Sequence, residues 1–153
     1  MSLVLAAVRR STLAALAALA VATSALPAAA ASPTTTMSGW GVRGDASFMG
    51  TVRHHTDGAM DGHFTIVVHK AGEEPTLCRY FSFRPLTIYP GGWSFEATGT
   101  CYTKGISFPA QNRISIGDNG SPGADYIDVN YYGAVGVSIP GGVLDEGDIV
   151  YTP

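Results

Sequence analysis

An all-β domain, an antiparallel sandwich or small barrel of about eight short strands behind an N-terminal signal peptide, is the fold the sequence predicts. Three observations lead there. Beyond residue 31 the apolar side chains recur at every second position over short runs, clusters of Gly, Pro, Asn and Asp separate those runs, and no stretch keeps a helical period for three turns. So many short antiparallel strands in one domain must hide most of their edges, which leaves a sandwich or a closed barrel.

The first element of the chain is not a strand. Arg9 and Arg10 precede an apolar and small-residue stretch from Leu13 to Leu26, which meets Pro27 and the run Ala28 to Ala31. A positive n-region, a short apolar h-region and a small-residue cleavage site, in that order, make a secretory signal over residues 1–31, and the mature chain is expected to begin at Ala31 or Ser32. An uncleaved anchor would need about 20 apolar residues, more than this h-region supplies. The paired arginines lack the large apolar residue that the twin-arginine route reads, so general export is expected. No later stretch is apolar enough to span a bilayer, and the sequence predicts a secreted chain without a transmembrane anchor.

Loss of Arg9 and Arg10 leaves 7 basic against 12 acidic side chains, a net charge of −5. A chain of that sign has no electrostatic reason to bind nucleic acid or an anionic membrane. The mature length suits one domain with its own core.

Residues 32–38, rich in Thr and containing Pro33, read as a flexible lead, and residues 39–153 as a single β domain. Strands are expected at Ala46 to His55, His63 to Lys70, Thr76 to Phe83 with an extension Leu86 to Tyr89, Trp93 to Tyr102, Ile106 to Gly117, Asp125 to Tyr132, Ala134 to Ile139 and Val143 to Tyr151. Alternation points Phe64, Ile66 and Val68 inward, with Trp93, Phe95, Ala97 and Cys101, then Ile127, Val129 and Tyr131, then Val135, Val137 and Ile139. Asp57-Gly58, Asp61-Gly62, Asn119-Gly120 and Pro90-Gly91-Gly92 supply the turn chemistry.

Cys78 and Cys101 are the only cysteines. An even count in an exported chain, without metal-ligand spacing, predicts a disulfide. A regular hairpin about Pro90-Gly91-Gly92 would set position 81, rather than Cys78, opposite Cys101; Pro85 interrupts that strand, and a bulge there is one way to supply the missing offset.

The run Asp118-Asn119-Gly120-Ser121-Pro122-Gly123-Ala124-Asp125-Tyr126-Ile127, followed by Gly141-Gly142-Val143-Leu144 and Gly147-Asp148-Ile149, resembles the post-COAP domain of bacterial exported and surface proteins. Gly44 to Phe48 and Gly62-His63-Phe64 fit that pattern's first two strands. The motifs are turn and packing residues. The resemblance implies a β-rich module of exported proteins with no catalytic residues to carry over; the cysteine pair and the histidines of the first hairpin lie outside the pattern.

Candidate ligand residues fall into three groups. His55, His63 and His69 share the outward face of the first proposed hairpin, where imidazoles with Asp57 or Asp61 have the chemistry to hold Zn²⁺ or Cu²⁺, although surface histidines that bind nothing are commoner. Asp118, Asn119, Asp125 and Asp128 gather oxygens around a turn, as Ca²⁺ sites do, without the spacing of an EF-hand; Asx residues in turns more often bond their own backbone. Tyr126, Asn130 and Tyr132 alternate opposite Ile127 and Val129 and offer an aromatic and amide face suited to a sugar ring. No resident cofactor is called for.

For catalysis the motif search is negative: there is no G-x-S-x-G, no H-E-x-x-H and no cysteine outside the expected disulfide. Glu96 is an outward carboxyl without an evident partner for glycoside hydrolysis. The expected function is an exported non-catalytic binding or structural module at the cell envelope or outside it, with a cell-surface glycan or protein as partner; a small secreted hydrolase acting on polysaccharide is the competing class.

Overall fold

The strict alternation of the middle of the chain sets the architecture. Trp93, Phe95, Ala97 and Cys101 are all buried, and so are Phe64, Ile66 and Val68 and Ile114 and Ile116 on neighbouring strands, so one face of a sheet becomes the core. The computed structural model describes residues 34–120, 124–131 and 136–153, and every regular element among them is a strand. These are β1 (Thr34–Arg43), β2 (Ala46–His55), β3 (Met60–Val68), β4 (Thr76–Tyr89), β5 (Gly92–Thr103), β6 (Ile106–Gly117), β7 (Tyr126–Tyr131), β8 (Ile139–Val143) and β9 (Glu146–Thr152). The signal segment and its cleavage site lie outside the described residues, as do Tyr132, Ala134 and Val135.

The strands form one antiparallel sheet in the order β8-β7-β6-β5-β4-β3-β2-β1-β9. It is a meander from β1 to β8, after which β9 crosses to pair with β1. The sheet curls on itself instead of splitting into two sandwich layers, and aromatic rings from distant strands meet inside it: Trp93 of β5 lies edge-on to His54 of β2 and to Tyr151 of β9. Phe64 meets Phe95 in the same way.

Several expectations are corrected. The lead does not extend to residue 38, because Thr34 to Ser38 are paired with β2, and Thr36 to Ser38 also with β9. Asp61-Gly62 is not a turn. It lies inside β3, where Gly62 takes a φ of 137° and a side chain would strike the Thr51 carbonyl across the ladder. The last hairpin is displaced: residues 136–138 are not strand, β8 runs through Gly141-Gly142, and the reversal falls at Leu144-Asp145. Tyr131 keeps the parity of Ile127 and Val129 and pairs with the buried Asn112, but as the last residue of β7 it is 58 % exposed and not part of the core.

Strand β4 is continuous through Pro85. Its loop is only Pro90-Gly91, since Tyr89 pairs with Gly92, and Gly91 takes the positive φ, 76°, that follows proline in a tight turn. That register alone would set position 80 opposite Cys101. Two bulges, between Pro85 and Thr87 and between Tyr80 and Ser82, absorb one residue each and bring Cys78 opposite Cys101. The two cysteines are bonded and fully buried.

Candidate functional site

The outer face of β4 to β7 carries a set of rows written by strand register. Tyr89, Gly92, Gly117 and Tyr126 lie side by side across four strands; the next row is Thr87, Ser94, Ser115 and Asp128, and the next Arg84, Glu96, Arg113 and Asn130. Three inter-strand steps separate the two tyrosines, about 14 Å along the backbone.

Glycines shape the aromatic row. The Tyr89 ring lies over Gly92, in the space a side chain there would need. The Tyr126 hydroxyl likewise occupies the space above Gly141 of β8. Between them Gly117 stays open: a methyl there would find the Gly91 carbonyl at 3.5 Å and the Tyr126 Cβ at 3.9 Å, ordinary contacts. The result is a cleft of about 550 Å³ lined by Tyr89, Trp93, Ser94, Arg113, Ser115 and Tyr126 among others, within the common range of about 300–1,000 Å³ for small-ligand sites.

Its polar groups are held in place. The Ser115 hydroxyl donates to the Ser94 hydroxyl at 3.1 Å, and Arg113 Nε donates to the same Ser94 oxygen at 3.2 Å. Glu96 is buried although it faces outward, because the Arg84 guanidinium covers it and donates to its Oε2 from Nε at 2.9 Å and from a terminal nitrogen at 2.6 Å. Asn130 donates to Asp128 at 2.7 Å. Burial raises the Tyr126 phenol above its ordinary range, with the Asp128 carboxylate and Tyr89 adding to the shift, so the phenol stays a donor at neutral pH.

Of the residues nominated for a ligand face, Tyr126 lines this cleft and Asn130 stands in the row beside Arg113, while Tyr132 lies outside the described residues. Tyr89, Ser94, Arg113 and Ser115 were missed. Their only sequence signal is that Ser94, Arg113 and Ser115 interleave with buried Trp93, Phe95, Ile114 and Ile116, and so must face outward. Glu96, the nominated carboxyl, is engaged by Arg84.

The histidines do not converge. His63 pairs with Thr51, four residues along β2 from His55, about 13 Å at strand rise, and His69 lies beyond the end of β3. His55 instead shares a clasp in which Nδ1 meets the Thr34 hydroxyl at 3.1 Å and Nε2 meets Asp61 Oδ2 at 2.9 Å. Arg53 donates to the other Asp61 oxygen at 2.6 Å. The His55 hydrogen bond, ahead of Arg53, holds the Asp61 carboxyl below its ordinary value. Asp57 takes the Ala59 N–H at the hairpin tip.

Asp118 and Asp125 are brought together, and each of their four carboxylate oxygens accepts a backbone N–H. Asp118 takes Gly120 at 2.6 Å and Tyr151 at 2.8 Å. Asp125, fully buried, takes Asn119 at 3.0 Å and Ile149 at 2.6 Å. Among the described residues no group of three or more His, Cys, Asp or Glu is placed to hold a metal ion, and no helix is long and apolar enough to cross a membrane.

A second depression, of about 250 Å³, lies on the outer face of β1 to β3 around the exposed Trp40 and Met49. Val42, Phe48 and Val67 give it an apolar lining without converging polar groups. The β4–β7 cleft, with paired aromatics and anchored donors, is the better candidate. No family model, curated protein or solved structure matches the chain.

Proposed function

We propose that this protein is a secreted, non-catalytic binding module that takes a saccharide in the outer cleft of β4 to β7, consistent with the resemblance of its turns to the post-COAP domain. The observation that carries the reading is the pairing of Tyr89 and Tyr126 across a glycine floor, with the hydroxyls of Ser94 and Ser115 and the guanidinium of Arg113 on one wall. A sugar ring is apolar on its axial C–H faces and polar around its rim. Tyrosine rings offer flat, rigid contact area at low entropic cost, and fixed hydroxyl and guanidinium groups meet the rim. The disulfide and the signal-like residues 1–31 support an extracytoplasmic setting.

The test is a screen of the domain from Ser32 against cell-wall and exopolysaccharide fractions, followed by calorimetry. Tyr89→Ala and Tyr126→Ala should each weaken retention of a bound polysaccharide about tenfold, the scale of losing one well-packed aromatic contact. Retention by the double variant equal to that of the parent would refute the site. Turnover of any retained polysaccharide, seen as new reducing ends, would favour the hydrolase class instead.

A further inference from the structure

The saccharide reading uses the Arg113 guanidinium as a hydrogen-bond donor to the sugar rim and leaves its charge unused. Arg84, Glu96 and Arg113 stand side by side on three adjacent strands, two cations flanking one carboxylate. The carboxylate is not shared. Both Arg84 contacts fall on Glu96 Oε2, while Arg113 turns its Nε to the Ser94 hydroxyl and makes no ion pair among the described residues, which include every Asp and Glu of the chain. The other carboxylates near the cleft have partners of their own: both Asp118 oxygens take backbone N–H groups, and Asp128 takes the Asn130 amide. Those donors are neutral and leave Asp118 and Asp128 charged, but neither carboxylate pairs with Arg113, and the row of Arg84, Glu96 and Arg113 by itself sums to +1.

Arg113 is also oriented. Its anchor, Ser94, is buried and is itself held by Ser115. With Nε bonded to that serine, the two terminal nitrogens, which make no hydrogen bond or ion pair among the described residues, are left as a fork at the wall of the cleft. A planar fork of this kind matches the two oxygens of a carboxylate or a phosphate in a bidentate contact. The exposed Arg79, Lys70 and Lys104 are likewise without ion pairs, but none of them lines the cleft.

We infer that the cleft selects acidic saccharides, and that Arg113 is the residue that reads the oxyanion. The inference rests on the saccharide reading above and adds the ligand's charge class. Two sources of the oxyanion, a uronic acid carboxylate and a sugar phosphate, share this chemistry.

Calorimetry with four probes separates the outcomes: tetragalacturonate, its carboxyl-reduced tetragalactose, a phosphorylated oligomannoside and the same oligomannoside without phosphate. The parent domain should bind at least one acidic probe about tenfold or more tightly than its neutral counterpart, the scale of one charge-assisted bidentate contact. Whichever acidic probe is preferred names the oxyanion. Arg113→Gln should erase the preference with the melting temperature unchanged, since the side chain is exposed. Arg113→Lys should keep part of it, with a steeper dependence on salt because a point charge replaces the fork.

Equal affinity for acidic and neutral probes, or a preference that survives Arg113→Gln, overturns the inference and leaves saccharide binding standing. Acidic binding lost in Arg113→Gln but untouched by Tyr89→Ala and Tyr126→Ala upholds the oxyanion site and removes the aromatic platform. No binding of any of the four probes overturns the acidic selectivity.

Discussion

At the scale of single residues, the cleft exists because of what is missing from Gly117. The row runs Tyr89, Gly92, Gly117, Tyr126; the Tyr89 ring rests over Gly92 and the Tyr126 hydroxyl reaches over Gly141, so the open floor is one residue wide. Gly117 is extended strand and needs no positive φ, and a Cβ there would make only ordinary contacts with its nearest atoms. Gly117→Val should therefore fold at least as well as the parent, since a β-branched residue suits a pleated outer face better than glycine by up to about 1 kcal/mol. The same valine fills the floor between the tyrosines. Calorimetry should then find ligand binding reduced at least tenfold in a protein whose melting temperature is equal or higher. A binding loss accompanied by unfolding would mean that the glycine serves the sheet and not the site.

At the scale of elements, β4 controls both register and disulfide. Phe81 and Leu86 are the bulge residues; neither has a cross-strand partner on β5, and both are exposed. Each bulge reverses the parity of the strand, so the inward positions run Ile88, then Pro85 and Phe83, then Tyr80 and Cys78. This double reversal explains why β4 gave no readable alternation, whereas β3, β5 and β6 did. Strand β1 was hidden by its polar composition, and β8 by Pro140-Gly141-Gly142, which resembles a turn. In the site, Tyr126 and Asn130 were legible from alternation within one strand. Tyr89 and Arg113 were not, because only the pairing of four strands places them together. With the bulges in place, Cys78 and Cys101 close a loop of 23 residues in the core. Removing that crosslink frees the unfolded chain, and Cys78→Ser with Cys101→Ser should cost about 3 kcal/mol. Thermal unfolding followed by circular dichroism should show a midpoint lower by on the order of 10 °C with an unchanged β-type spectrum. Loss of the folded spectrum at 25 °C would show that the bridge is a condition of folding rather than a supplement to the core.

At the scale of the whole molecule, the question is how a curled sheet with two ends avoids exposing them. One side of β9 pairs with β1, but its other side has no strand beside it. The N–H groups of Ile149 and Tyr151 on that side are taken by Asp125 and Asp118, which stand at the two ends of the segment between β6 and β7. Around them the Leu144 N–H donates to the Asp125 carbonyl and the Asp145 N–H to Val42. At the far end of the seam the Asp145 carboxylate takes the Gly44 N–H and Arg43. Carboxylates thus do along this seam what a backbone ladder does elsewhere in the sheet. Asp125→Ala would leave the N–H groups of Ile149 and Asn119 without acceptors, one of them deeply buried, at about 1–3 kcal/mol each. Urea denaturation should register a loss of roughly 2–5 kcal/mol, and amide exchange at Ile149 should accelerate while exchange at core residues of β5 follows global stability only. Glu146→Ala, an exposed change on the same strand, serves as the control and should leave both readouts within about 0.5 kcal/mol of the parent. Because all four oxygens are already occupied by N–H donors, neither Ca²⁺ nor EDTA should move the parent's urea midpoint. A Ca²⁺-dependent rise that disappears in Asp125→Ala would instead make this pair a cation site, and the seam would need another explanation.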